Sequence, residues 1–140
     1  MKPMSVRTFL DTNILIYLYS ESEVKKRKAV CDVLDNYHCI TSLQALNEAC
    51  NTWFRKYHWS VDKIQKHLDN IELVCDEVVS VGRNTISAAI SLKESYGYSY
   101  YDCLMLASAI ESNCGIIFTE DMSSGQVVSG VLTIKNPFNH

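Results

Sequence analysis

Short apolar runs alternate with helical stripes along the whole chain. Residues 6–10 read as a buried strand, and Asp11 opens a short helix that runs to Tyr19. A charged stretch follows. Val30, Val33, Leu34 and Tyr37 then fall at i, i+3, i+4 and i+7, the spacing of one helix face. Residues 39–41 form a second strand. Ser42 starts a long helix with Leu43, Leu46, Cys50, Trp53, Phe54 and Tyr57 on one side. Ser60 is placed to cap the next helix, whose stripe is Val61, Ile64, Leu68 and Ile71. Residues 78–81 are a third strand. A helix from about Asn84 closes on Gly97, a residue suited to the left-handed position past a helix end. Ser99 opens a further helix with Tyr100, Cys103, Ala107, Ile110 and Cys114 on its face, closed by Gly115. Residues 116–119 are a fourth strand and 131–134 a short fifth.

Strands that alternate with helices imply parallel β-α-β units and a sheet covered on both faces. The strands are short and apolar without alternation, as burial on two sides requires. The expectation is one α/β domain over residues 1–140, a three-layer α/β/α sandwich. In such sheets ligands bind beyond the carboxyl ends of the strands, where the strand order switches direction.

Composition narrows the class. The chain has 140 residues, 47% hydrophobic and 21% charged, with 5 Gly and 2 Pro. That is globular usage, and it excludes disorder and collagen-like repeats. No apolar run approaches the roughly 20 residues of a membrane span. Asp11 and Asn13 interrupt any leader-like start, so the protein is expected in the cytoplasm, with no membrane attachment. Six cysteines contain no C-x-x-C pair, which removes the usual zinc and redox signatures. Cys31, Cys50, Cys103 and Cys114 fall on the apolar stripes and are expected as free core thiols.

The acidic residues carry the chemistry. Asp11 directly follows the first strand, and Glu120 and Asp121 directly follow the fourth. Glu48 lies in the second turn of the helix leaving the second strand. Asp102 lies in the first turn of the helix feeding the fourth. All five therefore sit at the carboxyl edge of the sheet. Each has an ordinary explanation: Asp11 as a helix cap, Asp102 within the capping pattern S-Y-Y-D, Glu48 as a solvated helix residue, Glu120 and Asp121 as turn residues. Together they are harder to dismiss. Carboxylates a few ångströms apart repel by about 1 kcal/mol in water and several-fold more at low dielectric. A bound Mg²⁺ or Mn²⁺ removes that penalty, and both are hard ions that take oxygen ligands. Such ions bridge phosphate oxygens, activate water and neutralise developing charge.

The formal charge of −3 argues weakly against a polyanionic partner. Removing the five negative charges of the rim leaves +2 on the rest of the chain, so a nucleic-acid substrate stays open.

At these residues the sequence resembles PIN-domain ribonucleases, in particular the VapC-type toxins of bacterial toxin–antitoxin pairs. The resemblance rests on F-L-D-T-N-I-L-I-Y at residues 9–17, L-N-E-A at 46–49 and S-Y-Y-D-C-L-M-L-A-S-A at 99–109. It continues with T-E-D-M-S-S-G-Q at 119–126 and K-N-P-F at 135–138. The pieces keep family order over nearly the whole chain. The resemblance implies a PIN-like sheet of about five strands in the order 3-2-1-4-5. It implies a Mg²⁺- or Mn²⁺-dependent endoribonuclease that hydrolyses RNA phosphodiester bonds and leaves 5′-phosphate and 3′-hydroxyl ends. Asp11, Glu48 and Asp102 match the family's acidic metal-binding residues, and Asp121 the fourth acid, with Glu120 beside it as the competing choice. Thr12, Asn13 and Thr119 match supporting positions. A cognate antitoxin and a homodimer are the implied partners.

Two rival readings accompany this one. An aspartyl-phosphate phosphotransfer or receiver domain would use Asp11 as nucleophile, but it leaves Glu48 and Asp102 without a role. A non-catalytic PIN-like binding module would cleave nothing. Two further segments stand out: K-K-R-K at residues 25–28, as a solvated helix start or an RNA-backbone contact, and W-F-R-K-Y-H-W at 53–59, as core packing, base stacking or a partner surface. His38, His58 and His67 are scattered, and His140 is terminal.

Overall fold

The computed structural model describes residues 6–138. In chain order the elements are β1 (Arg7–Leu10), α1 (Thr12–Tyr17), α2 (Val24–Asn36), β2 (His38–Ser42), α3 (Leu43–Arg55) and α4 (Val61–Val74). They continue with β3 (Glu77–Val79), α5 (Arg83–Tyr96), α6 (Tyr100–Glu111), β4 (Ile116–Phe118), β5 (Val127–Val128) and β6 (Leu132–Lys135). His140 lies outside the described residues.

The sheet order is β3-β2-β1-β4-β6-β5. Every pairing is parallel except that of β5 with β6. The expected order is therefore kept, with the expected fifth strand appearing as β6. The count of five is corrected to six: the polar loop after β4 folds back as the two-residue β5. Val128 is fully buried there, and burying one apolar side chain from a Ser/Gly-rich segment is enough to dock it on the sheet edge.

β1 lies at the centre, and the chain winds to one side of it through β2 and β3 and to the other through β4 and β6. The reversal between β1 and β4 is the switch point, so Asp11 and Thr119, each one residue past its strand, stand side by side there. Their backbones are joined to the sheet: Asp11 N–H donates to the Phe118 carbonyl at 3.1 Å, and Thr119 N–H to the Lys135 carbonyl at 3.0 Å.

α6 packs against β2, β4 and β6 and is covered by α5. Its residues from Cys103 to Ala109 are all buried. A helix apolar all round belongs inside, which explains why a one-sided stripe describes it poorly. It ends at Glu111, earlier than expected, with Asn113 taking the left-handed conformation at φ 60°. Gly115 serves a different purpose. A Cβ there would lie 2.7 Å from Val6 Cγ1, so glycine lets the chain pass close to the start of β1. Gly97 does hold the expected left-handed position after α5, at φ 75°.

α3 also departs from its predicted stripe. Its buried residues are Ala45, Leu46, Ala49 and Trp53, whereas Leu43, Phe54 and Tyr57 are exposed. Small alanines let α3 approach α1 closely, and hydropathy alone ranks them below the aromatics. Among the cysteines, Cys103 and Cys114 are buried as expected, Cys50 is half-buried and Cys31 is exposed. α2 buries Val30 and Val33 while Cys31 faces out.

At the amino edge of the sheet the charges are paired. Arg7 grips Glu77 with two hydrogen bonds, at 2.7 and 3.2 Å, and His38 Nε2 lies 2.8 Å from the same carboxylate. Arg7 Nε also donates to the Ser112 carbonyl. The Arg7 guanidinium holds the Glu77 carboxyl below its ordinary range, with His38 helping.

Candidate active site

Asp11 is the organising residue. It caps α1, with Oδ1 accepting from the Thr12 N–H at 2.7 Å, so the ordinary reading as a cap is structurally true. Its other oxygen, Oδ2, accepts from the Thr119 hydroxyl at 2.7 Å. That hydroxyl in turn accepts from the Asp121 N–H at 3.2 Å, which fixes the direction of its proton. Asp11 is only 4% exposed. Burial pushes its carboxyl up to about 6, the two hydrogen bonds oppose the rise, and the charges of Asp102 and Asp121 add to it.

The other acids arrive from separate elements. Glu48 is in the second turn of α3, whose N-terminus is capped by Ser42. Gln44 Nε2 donates to Glu48 Oε2 at 2.6 Å and also to the Tyr101 carbonyl at 3.3 Å, so it couples α3 to the first turn of α6. The Thr12 hydroxyl reaches Glu48 Oε1 at 3.5 Å. Asp102 sits in that first turn of α6, and its N–H donates to the capping Ser99 hydroxyl at 3.2 Å. Asp121 accepts from Asn13 Nδ2 at 2.9 Å, which ties the loop after β4 to α1.

These four carboxyls behave as one electrostatic group. Burial raises Glu48, Asp102 and Asp121 above their ordinary values. The charge of Asp102 then adds to the rise at Asp11, Glu48 and Asp121 alike. Among the described residues, no Lys or Arg forms an ion pair with any of the four.

Glu120 does not join them. Its side chain turns the other way, accepting from the Tyr17 hydroxyl at 2.6 Å and from Lys26 Nζ at 2.5 Å. Burial pushes the Glu120 carboxyl up, but Lys26 and Tyr17 outweigh that and hold it below its ordinary range. Lys26 also lies over the rings of Tyr17 and Phe138, at 4.5 and 5.2 Å from their centroids. α2 thus folds back and delivers a basic charge, Lys26, beside this edge. Between the two neighbours after Thr119, Asp121 is the one that faces the other acids.

Two contributors escaped the sequence reading. Gln44 carries a usable signal, since a Gln four residues before a Glu on a helix is positioned to bond it. Lys26 carries none, because its partner lies 94 residues away.

Chemically, the donors at this edge are all oxygens, and hard divalent cations are the ions that such donors suit. The uncompensated, partly buried negative charge fits such an ion. As the side chains lie, no three His, Cys, Asp or Glu groups among the described residues stand close enough together to surround a metal.

A central sheet with a carboxylate-lined switch point defines an α/β protein built to handle charge at one edge. The chain belongs to the PIN-domain family: the family's profile, described as PIN domain, matches residues 8–123. No curated protein sequence matches the chain. Among solved structures, it is similar to a sarcin–ricin-loop-cleaving VapC toxin of Mycobacterium tuberculosis, at 16% identity and a TM-score of 0.66 over 81% of this chain and 89% of that one. It is similar to a toxin–antitoxin complex from Klebsiella pneumoniae at 18% identity and a TM-score of 0.68, covering 95% of this chain and 99% of that one. A VapBC complex from Rickettsia felis, bound to a DNA fragment from its promoter, gives 18% identity and a TM-score of 0.69 over 93% and 98%. At these identities the likeness is one of fold.

Proposed function

We propose that this protein is a divalent-metal-dependent endoribonuclease of VapC type, the toxin of a toxin–antitoxin pair, acting in the cytoplasm as a single-domain chain. The observation that carries the proposal is the buried Asp11 carboxylate, held on both oxygens and under the charges of Asp102 and Asp121, with no Lys or Arg paired to these acids among the described residues. The toxins and toxin–antitoxin complexes among the similar structures support it. They also support a cognate antitoxin as partner, and the family resemblance adds a homodimer.

Asp11 and Asp102 would hold Mg²⁺ or Mn²⁺, with Glu48 and Asp121 completing the acidic shell. The bound ion supplies positive charge for the phosphoryl oxygens and a water of lowered pKa. The protein's own part is placement. Thr119 and the α1 N-terminus fix both Asp11 oxygens, so the carboxylate needs no rearrangement when substrate arrives. Asn13 holds Asp121, and Gln44 with Thr12 holds Glu48. A carboxylate oxygen of Glu48 or Asp121 accepts the proton of the water that attacks the RNA phosphorus. The 3′ oxygen departs and takes a proton from solvent water, so the products carry 5′-phosphate and 3′-hydroxyl ends. No nucleophilic side chain takes part.

The test is expression of the wild type and Asp11→Asn in a bacterial host, followed by mapping of new 5′-phosphate RNA ends. Wild type is expected to arrest growth and cut RNA at defined places, with the activity of purified protein abolished by EDTA. Equal behaviour of the two proteins would remove the catalytic proposal.

A further inference from the structure

The basic run on α2 splits three ways. Lys26 turns inward to Glu120, and Arg27 Nη1 donates to the Ser20 carbonyl at 3.3 Å. Lys25 and Lys28, three residues apart and on one helix face, form no hydrogen bond or ion pair among the described residues and are exposed. Both line a groove of about 580 Å³ whose other walls include Asp32, Tyr37, Phe118 and Asn136. Tyr37 and Phe118 meet edge to face beneath it, with centroids 5.3 Å apart.

This groove borders the strand ends that carry the acidic edge. Phe118 is the residue whose carbonyl accepts from Asp11 N–H, and Asn136 follows the Lys135 carbonyl that accepts from Thr119 N–H. The Lys26–Glu120 pair pins α2 beside the loop that carries Asp121. Two lysines against one Asp32 leave the groove positive, where the adjoining acids leave the edge negative. An ion-loaded edge takes one phosphate; the next along a strand needs cationic contacts, and the groove beside α2 offers two exposed lysines on its wall.

We infer that this groove is the track along which a single strand of RNA leaves the acidic edge, with Lys25 and Lys28 contacting successive backbone phosphates. The inference rests on the ribonuclease reading above. The contacts are electrostatic, so they add affinity without sequence preference and weaken with salt.

The experiment is fluorescence anisotropy with a labelled, mixed-sequence single-stranded RNA of about 20 nucleotides in EDTA, so that nothing is cut, across a salt series. The proteins are wild type, Lys25→Gln/Lys28→Gln, and Lys66→Gln as a control for one lost charge on α4. Loss of two phosphate contacts on a single strand is expected to lower the slope of log affinity against log salt by about 1.4. Affinity at low salt is expected to fall roughly tenfold, and Lys66→Gln to keep the wild-type slope. An unchanged slope in the double variant overturns the inference. An unchanged slope together with loss of binding to the antitoxin overturns it in favour of a protein occupant. Failure of wild type to cut any RNA in Mg²⁺ sinks the nuclease reading instead, and the salt slope still reports on the groove.

Discussion

The two edges of the sheet treat carboxylates in opposite ways. At the amino edge, Glu77 meets Arg7 in a bidentate pair and His38 beside it, and its carboxyl is held below its ordinary value. At the carboxyl edge, Asp11 is buried among other acids and raised to about 6. β1 and β2 carry both ends: Arg7 and His38 open them, and Asp11 and the helix bearing Glu48 follow them. One edge is neutralised by the protein itself and serves cohesion. The other is left with charge that the protein does not neutralise, and such a defect points to something external that completes it. The contrast repeats at short range, where Glu120 is paired with Lys26 and the next residue, Asp121, is not.

The sharpest way to break this comparison is to remove the charge at its negative pole. Asp11→Asn is expected to lower RNA cleavage about a thousandfold, because losing metal-based stabilisation of the transition state costs roughly 4 kcal/mol. Initial rates on a cleaved RNA measure it, and a loss below about tenfold would place Asp11 outside the chemistry.

The same substitution should stabilise the fold. An acid whose folded value lies above its unfolded 3.8 binds protons more readily when folded, so stability falls as pH rises from about 4 to about 6 and stays reduced above that. Asp11→Asn is therefore expected to gain up to about 3 kcal/mol at neutral pH without metal, an order-of-magnitude figure at about 1.4 kcal/mol per unit. Urea unfolding in EDTA at pH 7.5 and at pH 4 checks this, with the gain present at the first and nearly absent at the second.

A smaller effect is expected from Thr119→Val, which keeps the shape and removes the hydroxyl that anchors Asp11 and Asp121. Residues that orient metal-binding groups typically contribute about 10- to 100-fold, and cleavage rates should fall within that range. Smallest of all is Glu77→Gln at the opposite edge. The pair is partly exposed, so its loss should cost less than about 1 kcal/mol and leave cleavage unchanged. Its stabilising part has the opposite pH sign to that of Asp11. It is present above the unfolded value of 4.5 and is lost as pH falls through the lower folded value.

Much of this was readable along the chain because parallel sheets are local grammar. Each strand is a short apolar run, each helix has its own stripe, and residues that directly follow strands must gather at one edge. That logic put Asp11, Glu48, Asp102, Glu120 and Asp121 at one edge of the sheet from the chain alone. It failed where a side chain chooses between two directions at the same backbone position. Glu120 and Asp121 are equivalent in sequence terms, and Lys26 and Tyr17 on one side and Asn13 on the other separate them. The exposure of Phe54 and Tyr57 was hidden for a related reason: α3 ends at Arg55 and buries the small Ala45 and Ala49 beside Leu46 and Trp53, a face whose alanines a stripe of large apolar residues passes over. The docking of β5 depends on one buried valine in a polar loop, too weak a pattern to read as a strand.

The central claim is that the carboxyl edge is completed by a divalent ion, and calorimetric titration of MnCl₂ into metal-free protein tests it most directly. Saturable binding to wild type, lost in Asp11→Asn and kept in Glu77→Gln, is the expected result. No binding to wild type, or equal binding to Asp11→Asn, would contradict the account.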